Sequence, residues 1–159
     1  MGSAYPTPNG TPASGGAQDP AGDAPGAGAW KDAFRVGDDL IDGQHQTFFR
    51  MVAEAQESMD RGSVEGVGRH LNFLAAYAVM HFRDEERLMA LSHYPGLVEH
   101  RRIHQAFVAQ VAGLLKTYET DPDAVTAQQI LPMIQDWLVF HILGMDKQLQ
   151  PWIGRMGKP

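Results

Sequence analysis

An all-α fold, an up-down-up-down antiparallel four-helix bundle, is what this sequence predicts, and three observations lead there. From Trp30 onward, four stretches repeat apolar residues at the alternating three- and four-residue spacing of one helix face. Between them stand "DRGS" (60–63), "SHYPG" (92–96) and "TDPD" (120–123), rich in residues that end helices. These connections are short, which makes consecutive helices antiparallel neighbours.

The elements follow in order. Residues 1–29, "MGSAYPTPNGTPASGGAQDPAGDAPGAGA", hold too little apolar surface to offset the entropy of ordering, so a disordered tail is expected before a single helical domain at 30–159. The first helix is placed at 39–60, with Ile41, His45, Phe48, Val52, Ala55 and Met59 on its inner stripe and Asp42 as its N-cap. The second, at 64–90, carries Val67, Leu71, Leu74, Ala78, His81, Glu85 and Leu88. The third, at 97–118, carries Leu97, His100, His104, Phe107, Val111, Leu114 and Tyr118. The fourth, at 126–150, carries Ile130, Ile134, Trp137, His141 and Met145, with Pro132 either kinking it or marking a late start.

Composition removes several classes of function. A net charge of −6 without a dense Lys/Arg run leaves no footprint for a phosphate backbone, so no nucleic-acid partner is expected. No run of about 18 apolar residues spans a bilayer, and the amino terminus lacks a secretory signal. A cytoplasmic monomer without membrane contact is the expectation. The absence of cysteine excludes disulfides, zinc-thiolate sites, iron–sulfur clusters and thiol nucleophiles together. Any metal is therefore held by nitrogen and oxygen.

Five histidines and a glutamate stand on stripe positions where the pattern calls for leucine: His45, His81, Glu85, His100, His104 and His141. His70, beside the stripe, and His93, in the Tyr-Pro corner, read as surface residues. So do Arg83, Asp84, Glu86 and Arg87, which form a solvated face. Asp146 is less clear, because five residues after His141 it is rotated by about 140° on an ideal helix. It flanks the stripe.

Depth provides a second check. The first and third helices rise from the end of the bundle where the second and fourth finish. At the helical rise, all seven residues fall within roughly 5 to 14 Å of that end. They can meet at one level. A lone core histidine is usually bonded to a neighbour, but each unpartnered buried polar group costs about 1–3 kcal/mol, and a cluster of them needs a common partner. A metal centre satisfies all members at once. Five imidazoles and two carboxylates exceed the four ligands of a structural zinc, which points to two ions with the carboxylates bridging. Ligand type leaves iron, zinc and copper open. Glu-x-x-His, the di-iron carboxylate motif, and H-E-x-x-H, the zinc-protease motif, are both absent.

Four segments together resemble the hemerythrin family, and within it the bacterial hemerythrins. They are "VGDDLIDGQHQTFF" around His45, "HFRDEERLM" with His81 and Glu85, "YPGLVEHRRIHQAF" with His100 and His104, and "WLVFHILGMDKQL" with His141 and Asp146. The resemblance covers the chain from about Trp30 to Trp152. It implies two non-haem iron ions: His100, His104 and His141 on one, His45 and His81 on the other. Glu85 and Asp146 would bridge them beside an oxo or hydroxo group. Three imidazoles and three bridges complete an octahedron, whereas two imidazoles leave one position open, and by the resemblance dioxygen binds there reversibly.

Reversibility calls for a dry, apolar cavity, and Phe48, Phe49, Trp137, Leu138 and Ile142 flank the ligands at helical spacing as its expected wall. As ordinary core residues they would look the same. Gly144, one turn after His141, is where a bulkier residue would narrow that cavity. Oxygen storage, delivery or scavenging is the expected function, rather than enzyme catalysis. The alternatives are an enzyme acting on peroxide, nitric oxide or oxygen, which needs a proton donor beside His45 and His81, and a sensing module that uses residues 1–29 to report the iron state.

Overall fold

The computed structural model describes residues 30–121 and 126–156, apart from the side chains of residues 64 and 65. The expectation for the tail at 1–29, and part of the third connection, lie outside these residues. Four long helices form the bundle: α1 (Asp39–Asp60), α2 (Val64–Leu91), α3 (Leu97–Thr120) and α4 (Ala127–Gly144). A short helix, α5 (Gln150–Ile153), follows a 3-10 turn at Asp146–Leu149, and another 3-10 turn at Asp32–Phe34 precedes α1. No strand occurs among the described residues, and none of their helices is long and apolar enough to cross a membrane.

Local chemistry explains the helix ends. Asp38 caps α1, accepting the Leu40 and Ile41 N–H groups at 3.0 and 3.1 Å. Asp42, expected to be that cap, lies one turn inside the helix instead. Its buried carboxylate accepts the Val36 N–H at 2.6 Å and the Gly37 N–H at 3.2 Å, tying the preceding segment onto α1. At the other end of α1, Gly62 takes φ +70°, so that its N–H reaches Met59 and the Ser63 N–H reaches the Ser58 carbonyl. His93 does the same after α2, at φ +56°, with the Tyr94 N–H on the Met89 carbonyl at 2.9 Å. Exposure is thus only part of what His93 does. His70 is half-buried, its Nδ1 2.7 Å from the Gly66 carbonyl.

The fourth helix departs most from expectation. It begins beside Thr126, whose N–H donates to Gln129 Oε1 at 2.9 Å, and it runs through Pro132, so there is no late start. It ends at Gly144 rather than at 150. Met145 leaves helical geometry at φ −121°, and the chain tightens into the 3-10 turn. A turn of three residues rotates each position by about 120° instead of 100°.

The inner stripes form one continuous apolar core along most of the bundle, from Val52, Leu71 and Leu74 to Val111, Ile130 and Ile134. A smaller cluster of Val36, Ile41, Leu88, Met89 and Leu149 closes the end where α2 finishes. Three stripe positions slip, the first of them in α1, where Ser58 is buried and Met59 only half-buried. Leu115 is buried and Leu114 only half-buried, while Leu138 is buried and Trp137 half-buried. In α3 and α4 the slip is that of a straight helix, which drifts by about 20° per heptad against a strict seven-residue repeat and moves the seam on by one residue.

Candidate metal centre

Every long helix contributes to one buried cluster between those two cores. His45 comes from α1, His81 and Glu85 from successive turns of α2, His100 and His104 from successive turns of α3, and His141 from the last turn of α4. The 3-10 turn supplies Asp146. It is fully buried because the break at Gly144 swings it inward from the flank it would occupy on a continuing helix. None of the seven side chains belongs to a residue more than 5% exposed.

Their donor atoms form two overlapping groups, each with mutual distances within 4.8 Å. One contains Glu85, His100, His104, His141 and Asp146, and the other His45, His81 and Glu85. Glu85 belongs to both. Asp146 also spans them: Oδ1 lies 3.1 Å from His141 Nε2 and 3.2 Å from His100 Nε2, and Oδ2 lies 3.4 Å from His45 Nε2. This is the placement that two bridging carboxylates between two cations require.

The cluster is electrostatically incomplete on its own. His141 Nε2 lies 2.9 Å from both His100 Nε2 and His104 Nε2, a separation at which bare lone pairs repel unless a proton or cation sits among them. Both nitrogens of His45, both oxygens of Glu85 and of Asp146, and His100 Nδ1 are buried without a hydrogen-bond partner. Leaving such groups unsatisfied costs about 1–3 kcal/mol each. A donor set of imidazoles and carboxylates around that demand fits a pair of cations with nitrogen and oxygen preference.

Proton affinities carry the same imprint. Burial disfavours the charge on His100, yet the Asp146 and Glu85 carboxylates beside it raise its pKa to about 9. Burial and Asp146 both oppose ionisation of Glu85, but His100 and His104 hold its pKa down at about 2. Asp146 is likewise held well below the usual carboxylate range, against its own burial, by His100, His141 and His45. Burial dominates at His81 and lowers it to about 4, with Glu85 pulling the other way. A proton on His100 thus stands where the cluster asks for a cation.

Neighbours that spacing did not single out complete the site. Gln44 is buried, accepting from His81 Nδ1 at 2.9 Å and donating to Asp84 Oδ2 at 2.8 Å. Glu86, expected to face water, instead accepts from His104 Nδ1 at 3.1 Å and from Arg101 Nε at 2.7 Å. Asp84 and Glu86 therefore leave the solvated face assigned to them. Both sit next to Glu85 in sequence, so they are turned by about 100° toward the neighbouring helices rather than away from the bundle.

The aromatic surroundings divide between the two groups except at Phe82, which stacks on His104 at 3.8 Å and lies 5.6 Å from His81. Phe48 meets His81 edge-on at 5.5 Å, Phe49 stacks on Phe34 at 4.9 Å, and Trp30 closes over His45 at 6.5 Å and Phe49 at 6.0 Å. Trp137 stacks on His141 at 4.2 Å and on Phe107 at 3.7 Å, beside the three-histidine group. Leu138 and Ile142 are buried in the main core. Gly144 is exposed, and a Cβ there would meet nothing within 4 Å, so an alanine at this position packs against no part of the site.

Comparison with known proteins places this arrangement. Residues 36–153 match the family model described as the hemerythrin HHE cation binding domain. A myohemerythrin of Riftia pachyptila is 36% identical, over 78% of this chain and 92% of its own. A bacteriohemerythrin of Stenotrophomonas maltophilia is 32% identical, over 74% of this chain and 76% of its own. Among solved structures, wild-type hemerythrin superposes with a TM-score of 0.66 at 32% identity, covering 72% of this chain and 87% of the other. A single-site variant of hemerythrin gives 0.72 at 30% identity, covering 79% and 95%.

Proposed function

The chain belongs to the hemerythrin family, and from that premise we propose that it binds dioxygen reversibly at a non-haem pair of iron ions, as a store, carrier or scavenger of the gas. One observation carries the reading: seven buried donors form two groups that share carboxylates, and most of their inward-facing atoms have no other partner. His100, His104 and His141 would hold one iron and His45 and His81 the other. Glu85 and Asp146 would bridge the two, leaving room for an oxo or hydroxo group. When bound, an iron pair supplies two electrons to dioxygen and takes them back as the gas leaves.

The chain's own part is to orient the imidazoles and keep out water and stray protons. Phe48, Phe49, Leu138 and Ile142, buried close to the ligands along α1 and α4, serve as wall on this reading. Trp137 shields the three-histidine side and Trp30 the other. The rings packed against His45 and His81 are those of Trp30, Phe48 and Phe82, none of which carries a group that titrates near neutrality. Catalytic turnover needs a proton donor at that place, so the surroundings favour a carrier over an enzyme.

Optical spectra of the iron-loaded chain, taken after reduction, then under dioxygen, then under vacuum, test the proposal. The spectrum should change with the gas and return when it is removed. A one-way change on first exposure contradicts a carrier.

A further inference from the structure

Two of the five clustered imidazoles are anchored on the nitrogen that faces away from the cluster, and the anchors differ in charge. His81 Nδ1 meets the neutral amide oxygen of Gln44, and the Gln44 amide nitrogen donates to Asp84. His104 Nδ1 meets the Glu86 carboxylate, whose second oxygen accepts from Arg101. Each relay contains a group with only one hydrogen-bonding sense. The Asp84 carboxylate only accepts, so Gln44 must turn its NH2 toward it and its oxygen toward His81; the Glu86 carboxylate also only accepts. Both Nδ1 atoms therefore carry the hydrogen, and both Nε2 lone pairs face the cluster. His45 and His100 differ, since their Nδ1 atoms have no partner.

One anchored imidazole falls in each donor group: His104 beside His100 and His141, and His81 beside His45. We infer that Gln44 and Glu86 are positioning residues, one for each metal position, and that the carboxylate behind His104 makes that imidazole the stronger electron donor of the two. The inference rests on the iron-pair reading above. A carboxylate on the outer N–H of an imidazole raises the basicity of its inner nitrogen, whereas an amide fixes the ring plane without adding charge. A stronger donor favours the more highly charged ion. Arg101 is about half exposed, at 47% of its side chain, and fixes the plane of Glu86 while offsetting part of its charge.

Reduction potentials of the full-length, iron-loaded chain, measured by mediated spectroscopic titration with iron content as control, test this. Glu86→Gln should keep two irons per chain and shift the mean of the two one-electron potentials upward. Gln44→Glu combined with Asp84→Asn reverses the polarity of the other relay and keeps its hydrogen bonds, and the mean should move downward. Arg101→Gln leaves the Glu86 charge uncompensated without touching His104, so it too should shift the mean downward, and it gives the sign even if Glu86→Gln folds poorly. Shifts of the same sign in Glu86→Gln and Arg101→Gln, or no shift in either, overturn the inference. An unaltered chain that takes up fewer than two irons contradicts the iron-pair reading instead.

Discussion

The two halves of the bundle use the same four rods and the same inner stripe, but they fill it with opposite chemistry. Toward the start of α2 the stripe is Val52, Ala55, Val67, Leu71, Val111 and Ile130, all apolar and buried. Toward its finish it becomes His45, His81, Glu85, His100, His104 and His141, equally buried but short of partners. The first half gains from leaving water. The second half spends part of that gain to hold a shape that pays off only when cations arrive. Stability and function are thus divided along the length of the same helices.

The largest expected effect lies in the apolar half. Leu71→Ala opens a cavity at a fully buried position and should cost about 2–5 kcal/mol in chemical denaturation, with iron content unchanged. A cost under about 1 kcal/mol would mean that this half does not carry the fold. Next comes metal removal. Iron at about thirty times its dissociation constant stabilises by about 2 kcal/mol per ion, about 4 for a pair, and chelation should remove that while leaving the cost of Leu71→Ala the same, because the two sites do not share partners.

Smaller, and opposite in sign, is His45→Leu. In the metal-free chain neither nitrogen of this buried ring has a hydrogen-bond partner, and its one ion-pair contact is the long one from Nε2 to Asp146 Oδ2 at 3.4 Å, so leucine should stabilise that form by about 1–3 kcal/mol while abolishing iron uptake at the two-histidine position. Denaturation of both metal-free proteins decides it; a loss of stability would show that the ring is satisfied after all.

The subtlest contrast is with pH. His81 titrates lower in the fold than in the unfolded chain, so its contribution is complete above its ordinary value of 6.5 and is lost as pH falls through about 4. Glu85 adds an acid limb of the same sign between 4.5 and about 2. His100 titrates higher in the fold, so its contribution is complete below 6.5 and is lost as pH rises through about 9. The metal-free chain should therefore be most stable near pH 6.5, between the two limbs. If iron binds as proposed, it takes the place of the His100 proton, so loading should release protons and erase the alkaline limb. Melting temperatures against pH, with and without iron, measure both.

What the sequence made legible follows the same division. Periodicity placed four helices, the first at 39–60 as observed, and showed that His45, His81, Glu85, His100, His104 and His141 interrupt the leucine stripe at a common depth. Periodicity fails where the helix itself stops. Asp146 reaches the cluster because α4 ends at Gly144 and a 3-10 turn follows, a change of pitch that an ideal 100° wheel does not contain. The slip from Leu114 to Leu115 is the accumulated drift of a straight helix against a heptad. Gln44, Asp84 and Glu86 escaped because they lie beside ligands in sequence. A wheel then puts them on a flank, and whether a flank faces solvent or the next helix depends on packing between helices. Trp30 precedes the first helix altogether, and no periodic signal reaches it.

The claim on which all of this depends is that one buried cluster holds two cations. Anaerobic loading with ferrous iron, removal of the excess, and determination of iron per chain measure it directly. Two equivalents are expected; one equivalent, or none, would contradict the account.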